Sequence, residues 1–223
     1  MRHRHFSRFL FIGILSSVLV IGILFWVLIN YSSLISDSTS DGFKRIPKRY
    51  ANHNNLVQAV HPDKTYSYWA LCVWNPTKDS IIFERGVKPH DLKLGNTDIR
   101  PPGAALFNDC SPGICLKYIT YIYDGKIGYV QNAAQLKQFL GPIDNLEEAL
   151  LLAEVAEKVR VDSQNIQGGA YLIDAHGYHL KLMKHNLCPE TKETIQLRIQ
   201  KDSGIVNKTN LGVYDKGGGC TVI

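Results

Sequence analysis

The feature that most limits what this chain can fold into is an uncharged run of 21 residues, Phe9 to Ile29, reading FLFIGILSSVLVIGILFWVLI. At about 1.5 Å rise per residue, such a run spans roughly 31 Å as a helix, the thickness of a bilayer core. A helix of a soluble core keeps a polar face. This one is apolar all round, with only Ser16 and Ser17 to bond back to helix carbonyls. Trp26 and Tyr31 fall where an interfacial aromatic belt belongs. The sequence therefore predicts a single transmembrane anchor over residues 9–30, in contact with the lipid bilayer. MRHRHFSR ahead of the run would also suit a secretory signal. The run, however, exceeds the roughly 7 to 15 residues of a signal-peptide apolar region, and NYSSLISDSTS after it has no clear small-x-small cleavage site. Retention of the anchor is the expectation.

The flanks set its direction. Arg2, Arg4 and Arg8 make residues 1–8 a basic flank with no acid, while Asp37 and Asp41 precede any base on the other side. Lys44, Arg45, Lys48 and Arg49 blunt the asymmetry, since they fall within about 20 residues of the exit. The N-terminus is expected to be cytoplasmic and the rest extracytoplasmic, in the periplasm or cell envelope. Three of the 25 Lys and Arg precede the run, leaving 22 against 20 acids, so the net +5 falls to +2 beyond the anchor. A body so balanced has no basic excess to neutralise phosphates, which excludes nucleic acid as a partner on charge grounds.

Residues 31–55 open with YSSLISDSTSDG, too poor in large apolar side chains to offset the entropy of ordering, and read as a flexible tether. KRIPKRY within it reads as a solvated basic linker rather than a headgroup contact. Residues 56–223 form the body, long enough for one core without help from disulfides. YSYWALCVW, SIIFERG and CLKYITYIYDGKIGYV are rich in aromatic and β-branched residues and read as strands. Asp124-Gly125 predicts a type I′ hairpin turn. Between the strands lies an irregular stretch around Pro101-Pro102-Gly103 and Ser111-Pro112-Gly113, where Pro and Gly break any regular element. Loops this long usually carry function, so 88–109 is the expected surface for an envelope protein partner.

Two central helices follow. Asn132 caps AAQLKQFL, which Gly141-Pro142 stops, and Asp144 with Glu147 has capping-box spacing ahead of NLEEALLLAEVAEKV. Leu146, Ala149, Leu150, Ala153 and Ala156 give that second helix one apolar stripe, and Lys158 falls in its last turn. Period-two alternation in ETIQLRIQK puts Ile195, Leu197 and Ile199 on one face, and turns near His176 and Ser203 make the tail an antiparallel meander. The fold class is α+β: one anchor, then one domain of antiparallel strands, two central helices and a C-terminal meander.

The chemistry is sparse. Of five cysteines, Cys72 sits in an apolar strand and reads as a buried thiol. Cys110 with Cys115, and Cys188 with Cys220, are then the candidate disulfides of an oxidising compartment, although spacing alone leaves the connectivity open. Cys110 and Cys115 lack the second Cys pair and the His spacing of a zinc site, so no metal or cofactor is assigned. His176, His179 and His185 read as exposed hairpin residues. Cys220-Thr221-Val222-Ile223 fits a prenylation box, but an extracytoplasmic tail would be out of reach of the cytosolic enzymes. No serine stands on a Gly-x-Ser-x-Gly turn and the acids Glu147-Glu148 read as helix-capping charge, so no catalytic residue is assigned. The leading expectation is a noncatalytic anchored domain. The rivals are an anchored hydrolase in which His90 with Asp91, or Cys115, converges with other groups only in three dimensions, and a prenylated cytosolic-facing protein using Cys220.

From Asn145 onward, EEALLLAEVAEKV, a Gly-Gly break, YHLKLMK and ETIQLRIQKDSGIV run in an order that resembles PepSY-type envelope modules, which place a helix before strands with an Asp-x-x-Gly turn. The resemblance covers less than a third of the chain. It implies an envelope setting and carries over no functional residue.

Overall fold

The computed structural model of the chain describes residues 41–74, 79–90, 105–108 and 115–220. The chain divides into two compact units, Met1–Lys44 and Arg45–Ile223. Of the first, only residues 41–44 are described, with a turn in which Gly42 takes a φ of 81°. The expected anchor, residues 9–30, lies outside the described residues, and among those described no helix is long and apolar enough to cross a membrane.

The second unit is α+β, built on antiparallel sheets with a few helices. It begins earlier than the sequence suggests. After a two-residue strand, β1 (Lys44–Arg45), come a 3₁₀ turn (Lys48–Ala51) and a short helix, α1 (His53–Gln58). Residues 45–55 are thus folded rather than tether, because Ile46, Tyr50 and His53 are buried while Lys48 and Arg49 stay at the surface. The many bases of KRIPKRY mask two apolar residues that are enough to tie the segment down, and the Ile46 N–H donates to the Gly169 carbonyl at 2.9 Å.

The first sheet holds β2 (Tyr68–Trp74), β3 (Asp79–Gly86), β4 (Phe107–Asn108), β5 (Leu116–Tyr123) and β6 (Lys126–Val130). Its order is β3-β2-β5-β4, with β6 also paired to β5. Asp124 and Gly125 both take positive φ, 50° and 68°, and close the expected hairpin between Tyr123 and Lys126. β4 arises inside the stretch expected to be irregular, where Phe107 pairs with Lys117 and is itself buried. The remainder of that stretch, 91–104 and 109–114, lies outside the described residues.

Helix α2 (Ala133–Leu140) starts as expected, with Asn132 Oδ1 accepting from the Gln135 N–H at 2.9 Å, and ends at Gly141 with φ 69°. Helix α3 (Leu146–Glu157) starts one residue later than the Asp144–Glu147 spacing suggests. Its cap is Asn145, whose Oδ1 accepts from the Glu148 N–H at 2.8 Å. The shift turns Glu148 inward and leaves Glu147 to accept the Tyr50 hydroxyl. Lys158 lies past the last turn in a left-handed conformation, not within it.

The second sheet is the expected meander: β7 (Gly169–Asp174), β8 (Gly177–Leu187), β9 (Glu190–Gln200) and β10 (Gly204–Lys216), each antiparallel to the next. Tyr178, Leu180, Leu182, Ile195, Leu197 and Ile199 face inward from it. α3 packs on β8 and β10, while α1 and α2 pack on α3 and reach β3 and β6 of the first sheet, so the helices lie between the sheets. That position explains why Glu148 through Ala153 are all buried. Instead of a single stripe against one sheet, α3 is covered on several sides, and Ala156, the last residue of the expected stripe, is exposed.

Candidate functional site

Where β4 approaches the C-terminal end of α3, a cavity of about 370 Å³ opens between residues 105–108 and the segment Glu154–Arg160. Two stretches of chain line it. The Arg160 backbone is pinned to β8 by two hydrogen bonds of 2.8 Å with Met183, and its guanidinium Nε lies 3.9 Å from Glu154 Oε1. Lys158 is held at the rim by its left-handed conformation, with its own N–H donating to the Glu154 carbonyl at 3.1 Å. Phe107 brings its ring flat against His53, 4.3 Å between centroids and 10° between planes.

Behind the cavity wall these residues form a short polar chain. Lys117 Nζ lies 2.8 Å from His53 Nε2, and His53 Nδ1 lies 3.6 Å from Glu154 Oε1. An ammonium has only protons to offer, so Nε2 accepts and the ring proton sits on Nδ1, facing the carboxylate. His53 is 7% exposed and the Glu154 side chain 12%, so the carboxylate is held by the imidazole and by Arg160 rather than by bulk water. Burying a charge is costly unless it is paired in this way.

A carboxylate-backed imidazole has the form of a general base, but the nitrogen that would take a proton already accepts from Lys117. Among the described residues the cavity lining contains no Ser, Thr or Cys. It does present cations: Lys158 and Arg160 at the rim, both exposed, with Lys117 behind, against the single carboxylate of Glu154.

The residues singled out in the sequence fall elsewhere. Cys188 and Cys220 are joined in a disulfide that ties the end of the meander to the turn between β8 and β9. Cys115 is also disulfide-bonded, and Cys110 lies outside the described residues. In these bonded states neither Cys220 nor Cys115 carries a free thiol. Nor is the Gly run before Cys220 loose, since the Gly217 N–H donates to the Glu190 carbonyl at 2.9 Å and the Glu190 N–H to that of Gly219 at 2.7 Å. Cys72 is buried as a thiol. His90 is exposed, and Asp91 lies outside the described residues. His179 pairs with Asp174 at 2.8 Å and His185 with Glu190 at 3.4 Å, both across their own hairpins. Among the described residues no group of three or more His, Cys, Asp or Glu stands close enough to hold a metal ion.

His53, Lys117 and Glu154 could not be picked out from the sequence because they lie on three separate elements, α1, β5 and α3, with Arg160 in the segment just past α3. The one local signal was Phe107 in a stretch otherwise full of Pro and Gly, which marks a point where that stretch must dip into the core. No family model matches the chain, and no curated protein or solved structure does either.

Proposed function

We propose that the chain is a noncatalytic binding domain, held on the extracytoplasmic face of a membrane by its N-terminal helix, that takes an acidic segment of an envelope protein at the cavity beside Arg160. The observation that supports the reading is the charge of the lining: among the described residues it carries Lys158 and Arg160, both exposed, against the one carboxylate of Glu154, which His53 and Arg160 share. An acidic chain laid there gains charge-assisted hydrogen bonds from Arg160 and Lys158, which are stronger than neutral ones. The Cys188–Cys220 disulfide supports the compartment, because such bonds persist in oxidising surroundings and are rare in a reducing cytosol.

The test uses a fluorescein-labelled hexaglutamate peptide followed by anisotropy. The folded chain binds it with an affinity that falls as salt rises, and Lys158→Glu with Arg160→Glu abolishes binding while leaving the far-ultraviolet spectrum unchanged. Absence of binding to the wild-type protein at low salt overturns the reading. Placement is tested by labelling intact cells with a membrane-impermeant maleimide. Labelling that appears only after an impermeant reductant puts the body outside, whereas thiols that label only after lysis, without reductant, put it in the cytoplasm.

A further inference from the structure

A second hollow, independent of the basic cavity, lies where β5 and β6 meet α2. It encloses about 140 Å³, and its walls are the rings of Tyr66, Tyr121, Tyr123 and Phe139, with Gln135 and Gln138 at its edge. Tyr66 stacks on Phe139 at 30°, while Tyr121 and Tyr123 meet Tyr66 at 58° and 62°, with centroids 5.0, 4.8 and 5.7 Å away, so the three tyrosine rings are tilted to one another around the hollow.

The backbone holds the cup in shape. Tyr121 pairs with Gly128 across the β5–β6 hairpin, and its ring lies flat over that glycine: a Cβ there would stand 2.3 Å from the ring carbon Cζ. Only glycine lets an aromatic ring cross the neighbouring strand so closely. Among the described residues, the hydroxyls of Tyr66, Tyr121 and Tyr123 donate to no protein acceptor. Burial next to Tyr121, Asp63 and Tyr123 pushes the Tyr66 hydroxyl up to about 12, so it stays a donor at any physiological pH. Among the described residues lining the hollow the charged one is Lys64, whose ammonium sits 5.0 Å over the Tyr123 ring and so occupies a place where a ligand cation would bind.

We infer that this cup binds one neutral hexopyranose ring of a glycan. A pyranose has apolar C–H faces and a rim of hydroxyls. Tilted tyrosine rings cover the faces, and the phenolic hydroxyls with the Gln135 and Gln138 amides meet the rim. A ligand cation is disfavoured by Lys64, and an anion finds only that one charge. A polyproline helix needs aromatic ridges running parallel along a groove, which angles near 60° do not make.

The probes are chitotetraose and cellotetraose, read by saturation-transfer NMR and by calorimetry on the folded chain. At least one binds, with transfer concentrated on ring protons. Tyr123→Ala, at an exposed position outside the core, weakens binding by about tenfold or more. Gly128→Ala displaces the Tyr121 ring and weakens binding similarly. Tyr66→Phe keeps the ring but loses the donor and weakens it less. Lys158→Glu with Arg160→Glu leaves glycan binding unchanged, which separates this site from the acidic-segment reading. No binding of either sugar up to about 10 mM, binding insensitive to Tyr123→Ala and Gly128→Ala, or binding of a decaproline peptide in place of the sugars overturns the inference.

Discussion

Glu148 is fully buried, yet its carboxylate is satisfied by the backbone N–H groups of His61 at 2.9 Å and Asp144 at 3.0 Å. It staples the loop after α1 to the start of α3. Glu148→Ala removes the acceptor of two partly buried N–H donors and lowers stability by about 1 to 3 kcal/mol, read as a drop in the urea midpoint at constant slope. Glu148→Gln, which keeps one acceptor oxygen, loses less, and equal losses would mean that charge rather than hydrogen bonding is what counts. Asp174 behaves differently because it is exposed. His179, together with the His176 and Gly177 N–H groups, holds its carboxyl at about 2, below the ordinary 3.8. A depressed folded-state value means that the contribution is present above about pH 4 and is lost as pH falls through about 2. An NMR titration of the Asp174 carboxyl checks it, and a midpoint near 3.8 in the folded chain would contradict the pairing. At this scale the sequence was legible where the chemistry is local. Asn132 and the Asp124-Gly125 turn act within four residues of themselves, whereas the choice between Asp144 and Asn145 as cap depended on what Glu148 meets at His61.

At the scale of elements, α3 is the sharpest case. Its sequence is so rich in Leu and Ala that several apolar stripes can be drawn along it, and only the layers on either side decide which residues are covered. Leu151 and Leu152, left off the expected stripe, are buried, while Ala156 is not. Leu151→Ala is therefore expected to cost about 3 kcal/mol, whereas Ala156→Glu stays within about 0.5 kcal/mol. Thermal denaturation of the two variants checks the contrast, and a tolerant Leu151 would place α3 against one sheet only. The strands were easier to read. Alternation in β9 marks its inner face unambiguously, because a one-residue slip would send Ile195, Leu197 and Ile199 to the surface. β10 pairs with β9 along its whole length but with register shifts at Ile205–Asn207, Asn210–Gly212 and Val213–Asp215. Such bulges, with Lys208 and Lys216 on the same strand, blunt a long edge against pairing with another chain.

At the scale of the molecule, the meander is closed by the Cys188–Cys220 bridge across a sequence separation of 32 residues. A loop of that size loses about 3 to 4 kcal/mol of stabilisation when the bond is removed, on chain-entropy grounds. Cys188→Ser with Cys220→Ser should lower the melting temperature accordingly while leaving the acidic-peptide and sugar affinities intact, since neither site includes the bridge. Loss of both affinities would mean that the meander orders the whole body.

By itself the sequence determined the α+β class, both central helices, the hairpin turns and the meander, because each rests on periodicity or turn chemistry within a dozen residues. It also offered Cys188 with Cys220 as a candidate pair while leaving the connectivity open. Only the tertiary structure decided that residues 45–55 belong to the body and that the helices lie between two sheets. It alone gathered His53, Lys117, Glu154 and Arg160 behind one cavity and Tyr66, Tyr121 and Phe139 around another. The physical reason is the same in each case. Burial, ion pairing and ring packing act between residues tens of positions apart, and no local pattern in the chain records which distant side chain will be the neighbour.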